Sequence, residues 1–162
     1  MYFPVLLLGN KTFFVQVLPL QCAHKKHELD MYYPFNNFPY DCCEHTCDIL
    51  GNLLFKEGIE SIQINGRLKS NPSRHHVWLI TSYGSIIDIT EDQFSNELLR
   101  KNQVVRVRIG AEGPAQKKFC FLREEQENTF FMDRNLFNGF GGTPDVRQKR
   151  LIDVYNVIKK YL

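Results

Sequence analysis

The chain has 162 residues and a formal net charge of +2, with 20 Lys and Arg against 18 Asp and Glu. This length allows one domain with a substantial core, and we predict a single domain over residues 1–162. Because basic and acidic residues are interspersed, no nucleic-acid partner is expected. The apolar run at residues 5–8 is too short for a signal peptide or a membrane helix, so no membrane partner is expected either.

The five cysteines, at positions 22, 42, 43, 47 and 120, are an odd number, and three of them lie within six positions. This spacing is a poor disulfide framework. It favours free thiols and therefore a reducing, cytoplasmic location.

The first half of the chain predicts one long helix between strands. Residues 11–20 have strand composition, and residues 22–30 could form a short helix. A helix is predicted from about Asp41 to Lys56 or Glu57, because Gly58 is a natural C-terminal stop. Residues 59–64 alternate as a strand, Asn65-Gly66 indicates a turn, and residues 67–73 are predicted to be a polar loop.

The second half predicts an antiparallel sheet and a final helix. Residues 77–81 and 85–89 form the clearest hairpin, and Thr90 begins a capping box with a short helix or turn through Leu99. Strands are predicted at 104–109 and 117–123, with a loop at 110–116. Residues 143–145 begin the last helix, whose apolar stripe is Leu151, Tyr155, Ile158 and Leu162. The fold class is α+β, with a helix from the N-terminal half packed on an antiparallel sheet and a C-terminal helix.

Cys43, at the start of the long helix, is the candidate nucleophile. Unpaired N–H groups and the positive end of the helix dipole favour a thiolate there and can hold an oxyanion. In register, Cys47 lies one turn later on the same face. Cys42 is the competing choice, and the alternative for any free cysteine is a small buried hydrophobic residue.

A base and an acid are predicted on the hairpin. His75 and His76 point to opposite faces of a strand, and His76 is chosen because it shares parity with Trp78 and Ile80. Asp88 lies in an apolar strand, where a carboxylate needs a partner. Pairing of the two hairpin strands makes the His76 imidazole that partner; backbone N–H groups are the alternative.

The motifs Phe-Pro-x-x-Cys-Cys, His-x-Trp-Leu and Ile-Ile-Asp-Ile-Thr-x-Asp-Gln-Phe, over residues 38–94, resemble small bacterial proteins of the papain-like and transglutaminase-like Cys-His-Asp superfamily. Some members are toxin or effector deamidases. The resemblance implies a cysteine hydrolase acting through a thioester, with a protein or peptide substrate and no cofactor. It also allows delivery into another cell and does not identify a cognate inhibitor or immunity protein.

The resemblance assigns the nucleophile to Cys43, the histidine to His76 and the acid to Asp88. It implies that Asn37, six positions before the nucleophile, supports the oxyanion. Trp78 is expected to shield the triad from water, and Gln93 to support the turn after Asp88.

Two other functions compete with the hydrolase. One is a non-catalytic binding, adaptor or inhibitor domain that keeps the fold. The other is a zinc site, although adjacent cysteines on a helix do not easily bind one ion. Its candidate ligands are Cys22, His24, His27, Cys42, Cys43, His45 and Cys47.

Overall fold

The α+β architecture predicted from the sequence is present in the computed structural model, which describes residues 6–8, 11–13, 27–33, 35–94, 107–126 and 146–161. Short 3-10 segments cover Phe35–Asn37, Glu91–Phe94 and Lys159–Tyr161. The strands and helices, in chain order, are β1 (Leu6–Leu8), β2 (Lys11–Phe13), α1 (Cys43–Lys56), β3 (Ser61–Leu68), β4 (Asn71–Thr81), β5 (Ile86–Asp88), β6 (Arg108–Gly110), α2 (Pro114–Lys118), β7 (Phe121–Gln126) and α3 (Val146–Ile158).

Five strands form one antiparallel sheet in the order β6-β5-β4-β3-β7, and β1 pairs with β2 separately. The two faces of the sheet have different cores. On one face, α1 and α3 pack against side chains such as Val77, Leu79 and Ile87. On the other, Trp78 packs with Phe94 and Phe119. Alternate residues of β4 therefore enter different clusters, as the period of two in a strand requires.

Helix α1 begins and ends where the sequence predicts. It runs from Cys43 to Lys56, and Gly58 follows it with φ of 76°. The Ile59 N–H donates to the Leu54 carbonyl at 2.9 Å and the Gly58 N–H to Phe55 at 2.9 Å. This pair of hydrogen bonds is a Schellman motif, which satisfies the last helix carbonyls and needs a residue that tolerates positive φ.

The predicted turn at Asn65-Gly66 and loop at residues 67–73 are wrong. Strand β3 continues through both residues, with Asn65 opposite Val77 and Gly66 opposite His76. Gly66 is required by packing, because a Cβ there would lie 2.6 Å from the Trp78 ring and would also overlap the Phe119 carbonyl. Close approach of another chain segment is a second use of glycine that sequence cannot distinguish from a turn.

The hairpin of β4 and β5 is confirmed, with Leu79 opposite Ile87 and Ile80 opposite Ile86. The loop predicted at 110–116 and the strand predicted from residue 117 are only partly correct, because Pro114–Lys118 is helical and β7 begins at Phe121. Pro114 suits a first helical position, and the Gln116 side chain accepts the Gly113 N–H at 2.9 Å. The alternating aromatic residues at 119–121 concealed this short helix.

The apolar stripe predicted on the last helix is confirmed for Leu151, Tyr155 and Ile158, which are buried in the cluster under α1. Residues 27–30 form a turn rather than helix. The parts of the predictions that fall on residues 14–20, 22–26, 95–106, 127–145 and 162 lie outside the described residues. Within the described ranges, none of the helices is both long and apolar enough to cross a membrane.

We expect Gly66→Ala to lower the free energy of unfolding by about 1–3 kcal/mol, the usual cost of overpacking a filled core. Urea denaturation measures this change. The control is Ile62→Val, at a partly exposed position on the same strand, for which a change within about 0.5 kcal/mol is expected. Equal stabilities for Gly66→Ala and the parent protein would contradict the packing argument.

Candidate active site

The two adjacent cysteines at the start of α1 have different environments. Cys42 is fully buried; its Sγ donates to the Pro39 carbonyl at 3.3 Å and accepts from the Thr46 hydroxyl at 3.6 Å. Burial raises the pKa of the Cys42 thiol to about 12, so this sulfur is protonated at neutral pH. Cys42 is therefore a structural thiol, and the competing assignment of the nucleophile loses its support.

Cys43 is 8% exposed, and its thiol is close enough to His76 to raise the pKa of that imidazole. It occupies the first turn of α1, where the Thr46 N–H donates to the Cys42 carbonyl at 2.8 Å. The side chain of Cys42 makes no capping hydrogen bond. Cys43 thus lies at the positive end of the helix dipole and near an imidazole.

Cys47 lies one turn further along the same helix, as predicted, and is buried in the core beneath Cys43. Burial raises the pKa of its thiol well above the ordinary range. This third cysteine of the cluster is therefore a packing residue.

His76 is fully buried on β4 and uses its two ring nitrogens for different partners. Its Nε2 lies 2.6 Å from Asp88 Oδ2. Nδ1 lies 3.5 Å from Gln93 Nε2, and the Cys43 thiol also lies close enough to affect the ring. The three predicted residues are therefore neighbours, at the start of α1, in β4 and at the end of β5.

Of the two histidines, His76 is the one that contacts Asp88, but the parity argument for it was wrong. Helix α1 packs on the face that carries Val77 and Leu79, whereas Trp78 and His76 belong to the opposite face. The contact forms because Cys43 is at the very end of α1, where the helix terminus can reach the imidazole. His75 is exposed to solvent.

Asp88 accepts four hydrogen bonds, and both of its oxygens are used. Oδ2 lies 2.6 Å from His76 Nε2 and accepts from Gln116 Nε2, also at 2.6 Å. Oδ1 accepts from the Thr90 N–H at 2.9 Å and the Thr90 hydroxyl at 3.2 Å. Both predicted partners of this carboxylate, an imidazole and a backbone N–H, are therefore present together.

The protonation of His76 follows from this environment. Burial alone would lower the pKa of His76, but the charge and hydrogen bond of Asp88, followed by the interaction with Cys43, raise the pKa to about 10. At neutral pH the ring is therefore an imidazolium, and its Nε2–H donates to Asp88.

An aromatic cage surrounds the His76 ring. Trp78 is buried with its centroid 5.7 Å away, Phe94 makes an edge contact at 4.8 Å and Phe119 lies at 5.6 Å. Trp78 was expected next to the triad, whereas the two phenylalanines were not identified from the sequence. Because these rings enclose the imidazole, they exclude water from it and strengthen its interaction with Asp88.

The two remaining predicted residues have unequal positions. Gln93 follows the acid in the turn Glu91–Phe94, where its Nε2 donates to the Thr90 carbonyl at 2.9 Å and lies 3.5 Å from His76 Nδ1. It therefore supports the turn as expected and also lies beside the second ring nitrogen. Asn37 is exposed in the Phe35–Asn37 turn, and no recorded hydrogen bond joins its side chain to the triad.

Sequence analysis missed Gln116, which is fully buried and binds Asp88 directly. Its capping of Gly113 follows from a glutamine three positions after a helix start, but that helix was not predicted. No local pattern indicates that the other end of the amide would reach Asp88, 28 positions earlier in the chain.

The zinc hypothesis gains no geometric support from the described part of the chain, where no three His, Cys, Asp or Glu side chains are grouped for a metal ion. Two of its candidate ligands, Cys22 and His24, lie outside the described residues. His27 is exposed and pairs with Asp30 at 3.0 Å.

Comparisons with family models, curated proteins and solved structures find no match to this chain.

We expect Cys43 to react with iodoacetamide at about pH 6 much faster than the exposed Cys120, because an ordinary thiol is largely protonated there. His76→Gln, whose amide can still donate to Asp88, should reduce this rate to that of Cys120. Peptide mass spectrometry after timed labelling measures each site. His75→Ala is the matched control and should leave the rate unchanged; equal, slow labelling of all cysteines would contradict the expected reactivity of Cys43.

The raised pKa of His76 predicts a specific dependence of stability on pH. Its contribution is fully present below the ordinary value of 6.5 and is lost as pH rises towards about 10. In a Cys43→Ala background, which removes the thiol's own ionisation, the loss of unfolding free energy caused by His76→Gln should shrink between about pH 6.5 and pH 10. Urea denaturation across this range measures it, and a difference that stays constant or grows would contradict the assignment.

Proposed function

We propose that this protein is a cysteine-dependent acyl-transfer enzyme that hydrolyses amide bonds through a Cys43–His76–Asp88 triad. The observation that carries the proposal is the buried His76–Asp88 contact of 2.6 Å, with the Cys43 thiol close enough to raise the pKa of the same imidazole. A nucleophile beside a base that is oriented by a third group is the recurring geometry of nucleophilic hydrolases.

The first half of the reaction forms a thioester. The Cys43 thiolate attacks the amide carbonyl carbon, and the oxygen of the tetrahedral intermediate becomes negatively charged. The N–H groups of the first turn of α1 are the candidate donors to this oxyanion. When the C–N bond breaks, the His76 imidazolium gives its Nδ1 proton to the leaving nitrogen, so an amine or ammonia leaves and the acyl group stays on Cys43.

The second half releases the acyl group. Neutral His76 takes a proton from water through Nδ1, and the resulting hydroxide attacks the thioester carbonyl. The C–S bond breaks, Cys43 leaves as a thiolate, and the imidazolium is restored. Asp88 holds the ring with Nε2–H toward itself throughout, which leaves Nδ1 to move the proton at each step.

A protein or peptide amide is the proposed substrate, as the resemblance to papain-like and transglutaminase-like proteins implies. Hydrolysis of a peptide bond and deamidation of a glutamine side chain differ only in the leaving nitrogen. Cys43 is largely enclosed at 8% exposure. Peptide cleavage and deamidation are therefore both assayed.

We expect Asp88→Asn to lower the rate of acyl transfer by about 10²–10⁴-fold, because an amide cannot hold the imidazolium in one orientation by charge. The assay is ammonia release and peptide cleavage over a panel of glutamine-containing peptides and cell-lysate proteins. Cys43→Ser should abolish turnover, and Cys42→Ser should retain it because Cys42 only packs.

Two outcomes would overturn the proposal. Loss of activity in Cys42→Ser with activity retained in Cys43→Ser would move the nucleophile by one residue. If lysate proteins bind the wild type tightly but are never cleaved, deamidated or carried as a thioester on Cys43, the protein is instead the non-catalytic binding domain.

A further inference from the structure

Gln116 connects the proposed acid to a part of the fold that the triad does not include. It is fully buried on α2, where its Nε2 donates to Asp88 Oδ2 at 2.6 Å and its Oε1 accepts from the Gly113 N–H at 2.9 Å. The backbone N–H of Gly113 is a donor, so the end of the Gln116 amide that faces it must be the oxygen. The NH₂ end of the same amide therefore faces the Asp88 carboxylate.

Gly113 packs against a partly buried ion pair that leaves no room for a side chain. A Cβ on Gly113 would overlap the Arg108 guanidinium. Arg108 donates two hydrogen bonds to the buried carboxylate of Glu91. Its Nε donates to Oε2, and its NH2 group donates to Oε1 at 2.9 Å. Glu91 begins the turn that directly follows Thr90, the residue whose N–H and hydroxyl hold Asp88 Oδ1.

Both oxygens of Asp88 are consequently held by one connected network. With only the hydrogen bond to His76, the Asp88 side chain could adopt several torsion angles. The donors from Thr90 on one oxygen and from Gln116 on the other restrict it to one orientation. Since the Gln116 nitrogen has no lone pair to accept with, it can neither take a proton from Asp88 nor compete for the proton on His76 Nε2.

We propose that Gln116 is a positioning residue of the active site, which orients Asp88 so that the His76 ring keeps Nε2 on the carboxylate and leaves Nδ1 for the reaction. This inference rests on the proposed function. Gln116 acts through Asp88 and touches no reacting atom, so its removal should change the protonation behaviour of the site as well as its rate.

The sharpest test is Gln116→Glu. A protonated glutamic acid retains both contacts, with its O–H donating to Asp88 and its carbonyl accepting from Gly113, but its ionised form sets two carboxylates against each other. In a Cys120→Ser background, iodoacetamide labelling of Cys43 should be close to wild type at about pH 6. By about pH 9 the labelling rate of Cys43 in Gln116→Glu should be about 10- to 100-fold lower than in the wild type. This is the effect expected for the loss of one hydrogen bond to a charged group.

The matched control is Lys117→Gln, which makes the same charge change at the exposed neighbouring position and should follow the wild-type profile at every pH. Gln116→Met, which keeps the length but loses the donor, should label about 10- to 100-fold more slowly at all pH values. A Gln116→Glu profile parallel to wild type would overturn the proposal. So would a uniform loss in Gln116→Glu accompanied by an equal loss of folded protein in circular dichroism.

A second measurement separates this inference from the proposed function. The ring nitrogens of His76 can be titrated by NMR with ¹⁵N-labelled protein, whether or not Cys43 is a nucleophile. If wild-type Cys43 labels no faster than Cys120, the proposed function fails, and the NMR titration still decides the role of Gln116. An additional step in the His76 titration of Gln116→Glu supports the proposal, and a titration identical to wild type overturns it.

Discussion

The contact between His76 and Asp88 is the interaction on which the rest of the described structure depends. Both side chains are almost completely removed from water, and a buried charge is costly unless it is paired and hydrogen-bonded. Removing one partner of such a pair typically costs about 3–5 kcal/mol. The neighbouring elements are consequently arranged to satisfy the carboxylate on one side and to enclose the imidazole on the other.

The sheet supplies this arrangement through register. Pairing of Leu79 with Ile87 brings the end of β5 beside the middle of β4, and the polar pair meets within an otherwise apolar sheet. Gly66, opposite His76 on the next strand, leaves the room that Trp78 occupies. The position of the site and the packing of the second core therefore depend on each other, and both require a glycine at position 66.

The three cysteines at the start of α1 show how similar residues are separated by environment. Cys42 and Cys47 are buried as thiols, and burial raises the pKa of each. Cys43 lies between them with His76 as its partner. Adjacent residues on a helix differ by about 100° in direction, so a shift of one position is enough to give neighbouring thiols different surroundings.

Much of the site could be predicted from local signals. A cysteine before an apolar helix pattern, a histidine sharing parity with Trp78 and an aspartate in an apolar strand were each local signals of a candidate site. The hairpin between His76 and Asp88 is encoded by a short turn and alternating residues. Those signals located α1, the hairpin and the His76–Asp88 pair, because each depends on residues close together in the chain.

What depends on distant segments was not predictable in the same way. The glycine in Asn65-Gly66 has the composition of a turn, but the Trp78 ring and the Phe119 backbone decide that it lies within a strand. The face of β4 that packs on α1, the aromatic cage and the bond from Gln116 to Asp88 also depend on segments tens of residues apart. The sequence by itself determined the α+β class and the residue types of the site; only the tertiary structure decided their partners, because burial and close packing are properties of the assembled sheet.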